Sequence, residues 1–306
     1  MYAMSFFYPA FGHFRNEKYW QEEKKRVDKI AELTKVFDVE VICYLRSQNS
    51  FAESIYSQLI RDPVQFSIGF EEFLNQTEEL FDYNRHLQHW SDAFGKDNIN
   101  LNIFDKKTNI IKDFCDFMHI SPTSNWYLPN VRIGDRTSYD LLAFKRELDE
   151  KKKDPIQRQY DHWLLFELAE LITGPENVSW FSEENRKRFS QRFYNGNELI
   201  RGQWFPERKS LFDDVQSDPK QEYPGLSKDR SEFINREYKK LINKPDMFLK
   251  LQSRRLLYCL ESNSKLVSKM LTPVRRYIRN SRRKKWRKGE TKRDSIISVL
   301  LQWVCK

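Results

Sequence analysis

An apolar run from Val39 to Leu45 that stops abruptly at Arg46 constrains this chain more than any other feature. Val39, Val41, Ile42, Cys43, Tyr44 and Leu45 are too continuously apolar for a strand with one wet face, so the run reads as a central strand covered on both sides, as in a parallel sheet. Ser50 and Glu53 have the spacing of a capping box, in which each side chain satisfies a free donor of a helix's first turn. Phe51, Ile55 and Leu59 then recur at helical spacing, and Ser54 falls off that apolar stripe. A strand that leads directly into a helix makes an anion site at the sheet's C-terminal edge. The helix start supplies unpaired N–H groups and the positive end of a dipole. An arginine there adds a planar fork of donors suited to phosphate. Arg46 and Ser54 are the candidate pair.

The segment Tyr44-Leu45-Arg46-Ser47-Gln48 … Glu53-Ser54-Ile55-Tyr56-Ser57-Gln58 resembles the 3′-phosphate-binding motif of sulfotransferases, in particular those of the bacterial carbohydrate and capsule type. The likeness continues through Phe81-Asp82-Tyr83-Asn84-Arg85-His86-Leu87, Trp90 and Phe94-Gly95 to Ile99–Phe104. It reaches the helix around Ser182–Phe189, Phe193 and Asn197, and the following Leu211-Phe212-Asp213. It thus spans about residues 38 to 215, densely at Arg46–Gln58 and more loosely afterwards. The resemblance implies an α/β fold: a P-loop-type parallel sheet flanked by helices. It implies transfer of a sulfuryl group from 3′-phosphoadenosine-5′-phosphosulfate (PAPS) to a carbohydrate hydroxyl, without a metal. Arg46 and Ser54 carry over as the residues that hold the donor's 3′-phosphate.

The downstream segments agree physically. Leu80, Tyr83, Leu87, Trp90 and Phe94 make one helical stripe. Gly95 suits a left-handed helix end. Ile99, Leu101 and Ile103 alternate as in a strand. Ser182 followed by two acids makes a good helix start.

One departure matters as much as the match. Such enzymes carry a phosphate loop on their first strand, with Gly, Lys or Arg, and Ser/Thr, which holds the 5′-phosphosulfate. Before residue 38 the sole glycine is Gly12, and no strand–glycine turn–Lys-Ser/Thr pattern exists. The expectation is therefore an incomplete sheet that lacks its N-terminal part, and a chain with little or no transfer activity. No catalytic residue is assigned. The competing class is a non-catalytic, sulfotransferase-like remnant or binding protein that uses its basic tail on an anionic surface.

Charge is unevenly placed. The chain carries +9, yet residues 275–293 alone hold eleven Lys/Arg and a single acid, Glu290, a net +10, so the remainder stands near −1. After this tail Ile296, Ile297, Val299, Leu300, Leu301, Trp303 and Val304 form a short amphipathic stretch. Three readings stay open: a solvated tail that packs back, attraction to anionic lipid headgroups or an acidic polysaccharide, and nucleic-acid binding. The last is least favoured, because no recognised motif accompanies the charge.

With 306 residues and 39% hydrophobic content the chain can bury a sizeable core. The expected division is a sulfotransferase-like α/β domain at 1–215 and a helical extension at 216–306 with the basic tail at 275–293. Cys43, Cys115, Cys259 and Cys305 have no metal-type spacing and read as reduced thiols. No secretory signal or membrane-length apolar run is visible, which points to the cytoplasm, with the membrane surface as an option through the tail. Helices are expected near 17–36, 50–61, 70–94, 108–118, 138–150, 156–173 and 183–201, with a linker over 213–226.

Other candidate sites are weaker. His86 and His89 stand one turn apart without a third metal-type ligand, so they read as a surface pair. Glu71, Glu72, Glu78 and Glu79 read as a solvated face. Arg132-Ile133-Gly134-Asp135-Arg136 faintly resembles the Arg-x-Gly cofactor loop of animal cytosolic sulfotransferases and is not adopted.

Overall fold

The computed structural model describes residues 17–63, 65–104, 109–121, 137–151, 155–212 and 220–245, with 249 and 252. In chain order the elements are α1 (Glu17–Thr34), β1 (Val41–Leu45), α2 (Gln48–Arg61), α3 (Phe70–Gln76), α4 (Tyr83–Phe94), β2 (Ile99–Ile103), α5 (Ile110–Phe117), α6 (Tyr139–Glu150), α7 (Pro155–Ala169), β3 (Val178–Ser179), α8 (Glu183–Arg192), α9 (Tyr194–Trp204), β4 (Gln221–Glu222) and α10 (Lys228–Ile242). The fold is mixed α/β, predominantly helical, with two small parallel sheets. Two compact units divide it. One is formed by the described parts of 1–60, 66–114 and 174–225, the other by those of 61–65, 115–173 and 226–306. Among the described residues no helix is long and apolar enough to cross a membrane.

In the first unit β1 pairs in parallel with β2, Val41 opposite Ile99 through to Leu45 opposite Ile103. Parallel pairing demands a long crossover, which α2, α3 and α4 supply. The strand differs from its expectation in two ways. It starts at Val41 rather than Val39, and β2 is its one partner among the described residues. Val41, Cys43 and Leu45 face a core built with Ile99, Leu101, Tyr83, Leu87 and Ile200, and Ile42 and Tyr44 lie on the opposite face; only Leu45 is fully buried, and the other four are half-buried. Apolar continuity marked the strand correctly; it overstated how far both faces are covered.

The expected helix over 70–94 is three pieces. Thr77 closes α3 by donating its hydroxyl to the Phe73 carbonyl (2.7 Å), and a 3₁₀ turn follows at Glu78–Phe81. Asp82 then caps α4 by accepting from the Arg85 N–H (3.2 Å). Short polar side chains that bond the local backbone compete with helix continuation. Gly95 ends α4 with φ 85°, as its position suggested. Likewise 183–201 is two helices. Ser182 caps α8 through the Asn185 N–H (3.1 Å), and α9 restarts after Phe193.

A second apolar centre of this unit is aromatic. The fully buried Tyr56 on α2 meets the rings of Phe66, Phe70, Phe73 and Trp180 at centroid distances of 4.9–5.6 Å. Its hydroxyl donates to the Ile68 carbonyl (3.0 Å), so the polar end of the ring is satisfied.

The second unit packs α6, α7 and α10 around Leu141, Phe144, Leu164, Leu168 and Ile234. It also buries charge. Lys145 and Asp149, one turn apart on α6, form an ion pair with both side chains fully buried. Tyr238 donates to Asp161 (2.6 Å), and Arg230 pairs with Asp140 (2.8 Å).

Candidate functional site

The C-terminal edge of β1 is where strand chemistry changes to helix chemistry within two residues, Arg46 and Ser47. The first intrahelical bond of α2 runs from the Phe51 N–H to the Ser47 carbonyl (2.9 Å). Ser47 is thus the cap position, and the amides of Gln48, Asn49 and Ser50 lie ahead of the first bond. The expected Ser50–Glu53 capping box does not form, because Ser50 already lies inside the first turn and Glu53 is engaged elsewhere.

Arg46 is half-buried at this edge. Its guanidinium carbon lies 5.7 Å from the centroid of the Phe104 ring, just beyond β2. The Phe104 N–H donates to the Leu45 carbonyl (2.6 Å), which extends the β1–β2 ladder to the base of Arg46. Tyr83, the first residue of α4, donates its hydroxyl to the Arg46 carbonyl (2.8 Å). Burial holds that phenol far above its ordinary value, so it remains a donor. Ser54 lies six residues into α2 and is exposed. Gln48 is bolted to α9 by a reciprocal amide pair with Asn197, at 2.7 and 3.3 Å. An arginine on a fixed backbone, next to three helix-start amides, is a donor set that fits a phosphate.

A polar knot that the sequence did not signal lies against the same helix. The Glu53 carboxylate accepts from the Ser179 hydroxyl and from the Trp180 N–H (3.0 Å). Ser179 Oγ accepts in turn from Arg186 (2.7 Å) and from the Phe181 N–H (3.0 Å). The Trp180 indole donates to Ser57 (3.1 Å). These contacts tie α2 to β3 and α8. Only long-range geometry brings Glu53 to a two-residue strand, so no local pattern could have revealed it.

The histidine pair also departs from its expectation. His86 is buried and His89 half-buried, because α1 lies on α4 and presents Glu23 to both. The sequence held all three residues, with nothing to pair α1 with α4. Among the described residues no group has the geometry of a metal site. Glu71, Glu72 and Glu78 are exposed and Glu79 is half-buried, in keeping with a largely solvated face. Burial pushes the Cys43 thiol up to about 11, which makes it a poor nucleophile. Arg132–Arg136, Asp213 and the tail at 275–293 lie outside the described residues.

No protein-family model matches the chain, and no solved structure does. An uncharacterised protein of Archaeoglobus fulgidus is 27% identical over 191 residues, 58% of this chain and 50% of that protein. The chain spans about half the length of this curated relative.

Proposed function

We propose that the first unit is a sulfotransferase-like domain with a sheet of the P-loop type, and that the β1–α2 edge binds the 3′-phosphate of PAPS. The observation that carries this reading is the junction itself: a parallel strand ends at Leu45, Arg46 follows it, and a helix begins at Gln48. Arg46 supplies the charged fork and the first amides of α2 supply aligned donors. Ser54 is the second donor that the motif assigns to the same phosphate. These groups position the donor rather than perform the transfer. When bound, PAPS supplies the sulfuryl group; the acceptor on this reading is a carbohydrate hydroxyl.

Calorimetry with adenosine-3′,5′-bisphosphate tests the site. Wild type binds, and Arg46→Ala loses about 2 kcal/mol, as for a hydrogen bond to a charged group. Equal affinity in the two proteins, or no binding by wild type, overturns the assignment. Turnover of labelled PAPS in the presence of carbohydrate acceptors separates an enzyme from a binding protein built on the same edge.

A further inference from the structure

Glu23 on α1 faces two imidazoles of α4, and the hydrogen bonds at this point fix a proton count. His86 Nε2 lies 2.9 Å from the Glu79 carbonyl oxygen. A carbonyl can only accept, so Nε2 carries hydrogen. His86 Nδ1 faces one oxygen of the Glu23 carboxyl, and His89 Nδ1 lies 2.8 Å from the other. With Glu23 ionised, both Nδ1 atoms must donate. His89 meets that demand as a neutral ring, since its Nε2 has no hydrogen-bond partner among the described residues. His86 meets it only as an imidazolium, with hydrogen on both nitrogens. If the proton sits on Glu23 instead, it donates to His86 Nδ1 and the count is unchanged. Removing it sets a nitrogen lone pair against a carboxylate in a site where His86 is 6% and Glu23 9% exposed.

We infer that Glu23, His86 and His89 form a clamp locked by one shared proton, which holds α1 against α4 and loosens when that proton leaves. The surroundings favour such a lock. The Trp20 ring lies tilted against His86 and edge-on to His89, at centroid distances of 4.9 and 5.7 Å. Among the described residues, these charged and titratable groups stand around it. From α1, Tyr19 is kept neutral by burial and then by Glu23, against the opposing pull of Arg26. From the turn before α4, Glu79 adds its carbonyl to the clamp and its carboxylate to the field around Tyr19. On α4, Arg85 is paired with Glu17 (2.8 Å) and lies 4.6 Å from the Trp20 centroid.

The two pH limits have opposite signs. Burial raises the Glu23 carboxyl, but hydrogen bonds and charge from His86, then His89, outweigh it and hold it below its ordinary value. A depressed carboxylate stabilises the fold above its unfolded value and loses that contribution as pH falls through the folded one. The acid limit therefore lies below the ordinary carboxylate range. The opposite limit is loss of the shared proton, which removes the hydrogen bond between His86 Nδ1 and the Glu23 carboxyl and opens the clamp.

Nitrogen NMR of labelled histidine in the full chain, with amide hydrogen exchange corrected for intrinsic rate, tests the clamp between about pH 6 and about pH 9. At the low end the His86 ring carries hydrogen on both nitrogens, or shares one of them with Glu23 in a strongly deshielded bond. Protection of α1 amides then falls about tenfold or more across the range, the size expected for losing a charged hydrogen bond, while α2 amides hold. Glu23→Gln, which cannot accept from both rings with charge, shows low α1 protection throughout. The wild-type measurements decide the matter even if this variant fails to fold. A neutral His86 ring without that shared proton at the low end, or α1 protection that stays flat across the range, overturns the clamp.

Discussion

The hydroxyl of Tyr83 donates to the backbone carbonyl of Arg46 across 2.8 Å, so the first residue of α4 anchors the chain where β1 gives way to α2. Tyr83 also packs with Leu45, Leu87, Ile99 and Leu101. Tyr83→Phe keeps that packing and removes the one donor. We expect a stability loss of about 1 kcal/mol, rising toward 3 if the carbonyl finds no water. Binding of adenosine-3′,5′-bisphosphate weakens as well, because the Arg46 backbone is no longer fixed. Urea denaturation and calorimetry on the same variant separate the two effects. Full stability with unchanged binding would show that the bond anchors nothing.

Glu53 gathers two donors, the Ser179 hydroxyl and the Trp180 N–H. Glu53→Ala leaves both without their acceptor, beside a serine that is 0% exposed. The expected cost is about 2–3 kcal/mol, that of losing hydrogen bonds to a charged group. Urea midpoints with unchanged slopes would report it. A loss of a few tenths of a kcal/mol, of the size seen at exposed surface sites, would mean that water replaces the carboxylate freely.

The Lys145–Asp149 pair on α6 makes a different prediction, because both side chains are 0% exposed. Burying two charges costs desolvation that their attraction only partly offsets. Asp149→Ala strands an ammonium in the core and should cost about 3–5 kcal/mol. The joint replacement Lys145→Met with Asp149→Leu removes both charges and should fall within about 1 kcal/mol of wild type or above it. Thermal unfolding of the three proteins checks the order. Equal losses in the single and double variants would show that packing, not charge, dominates this site.

Local chemistry was legible where it acts over one or two turns. The end of β1 at Leu45, the alternation of β2, the Gly95 helix end and the Ser182 cap are each written in neighbouring residues. Boundaries failed where a short polar residue offered a competing bond, as Thr77 and Asp82 do within the apolar stripe of 70–94. The Ser50–Glu53 spacing misled for a related reason. Both residues suit a capping box, yet α2 starts at Gln48 and Glu53 finds donors about 125 positions away in the chain. The Glu23–His86–His89 cluster was invisible on the same ground. One helix supplies the carboxylate and another the rings, and no periodicity within either announces the pairing. Of the candidate phosphate site, the sequence located Arg46 at the strand edge; the anchoring by Tyr83 and Gln48–Asn197 needed the fold.

The basic segment 275–293 carries a net +10 in a chain of +9, so a protein cut after residue 274 is left near −1, with Asp294 and Lys306 cancelling. Lys and Arg near an anionic bilayer each contribute about 1 kcal/mol of attraction, screened over a Debye length of about 10 Å at 0.1 M salt. If the tail seeks an anionic surface, eleven such residues together with Tyr277 and Trp286 would give the full chain an adhesion that the shortened one lacks. We therefore expect the full chain to co-sediment with phosphatidylserine vesicles at low salt and to come off at high salt. The protein ending at 274 stays in the supernatant under both conditions and keeps the circular dichroism of its helices. Full-chain protein that ignores anionic vesicles at low salt would reduce the segment to a solvated tail. Loss of helical signal on truncation would mean instead that the apolar stretch Ile296–Val304 is needed to hold the fold.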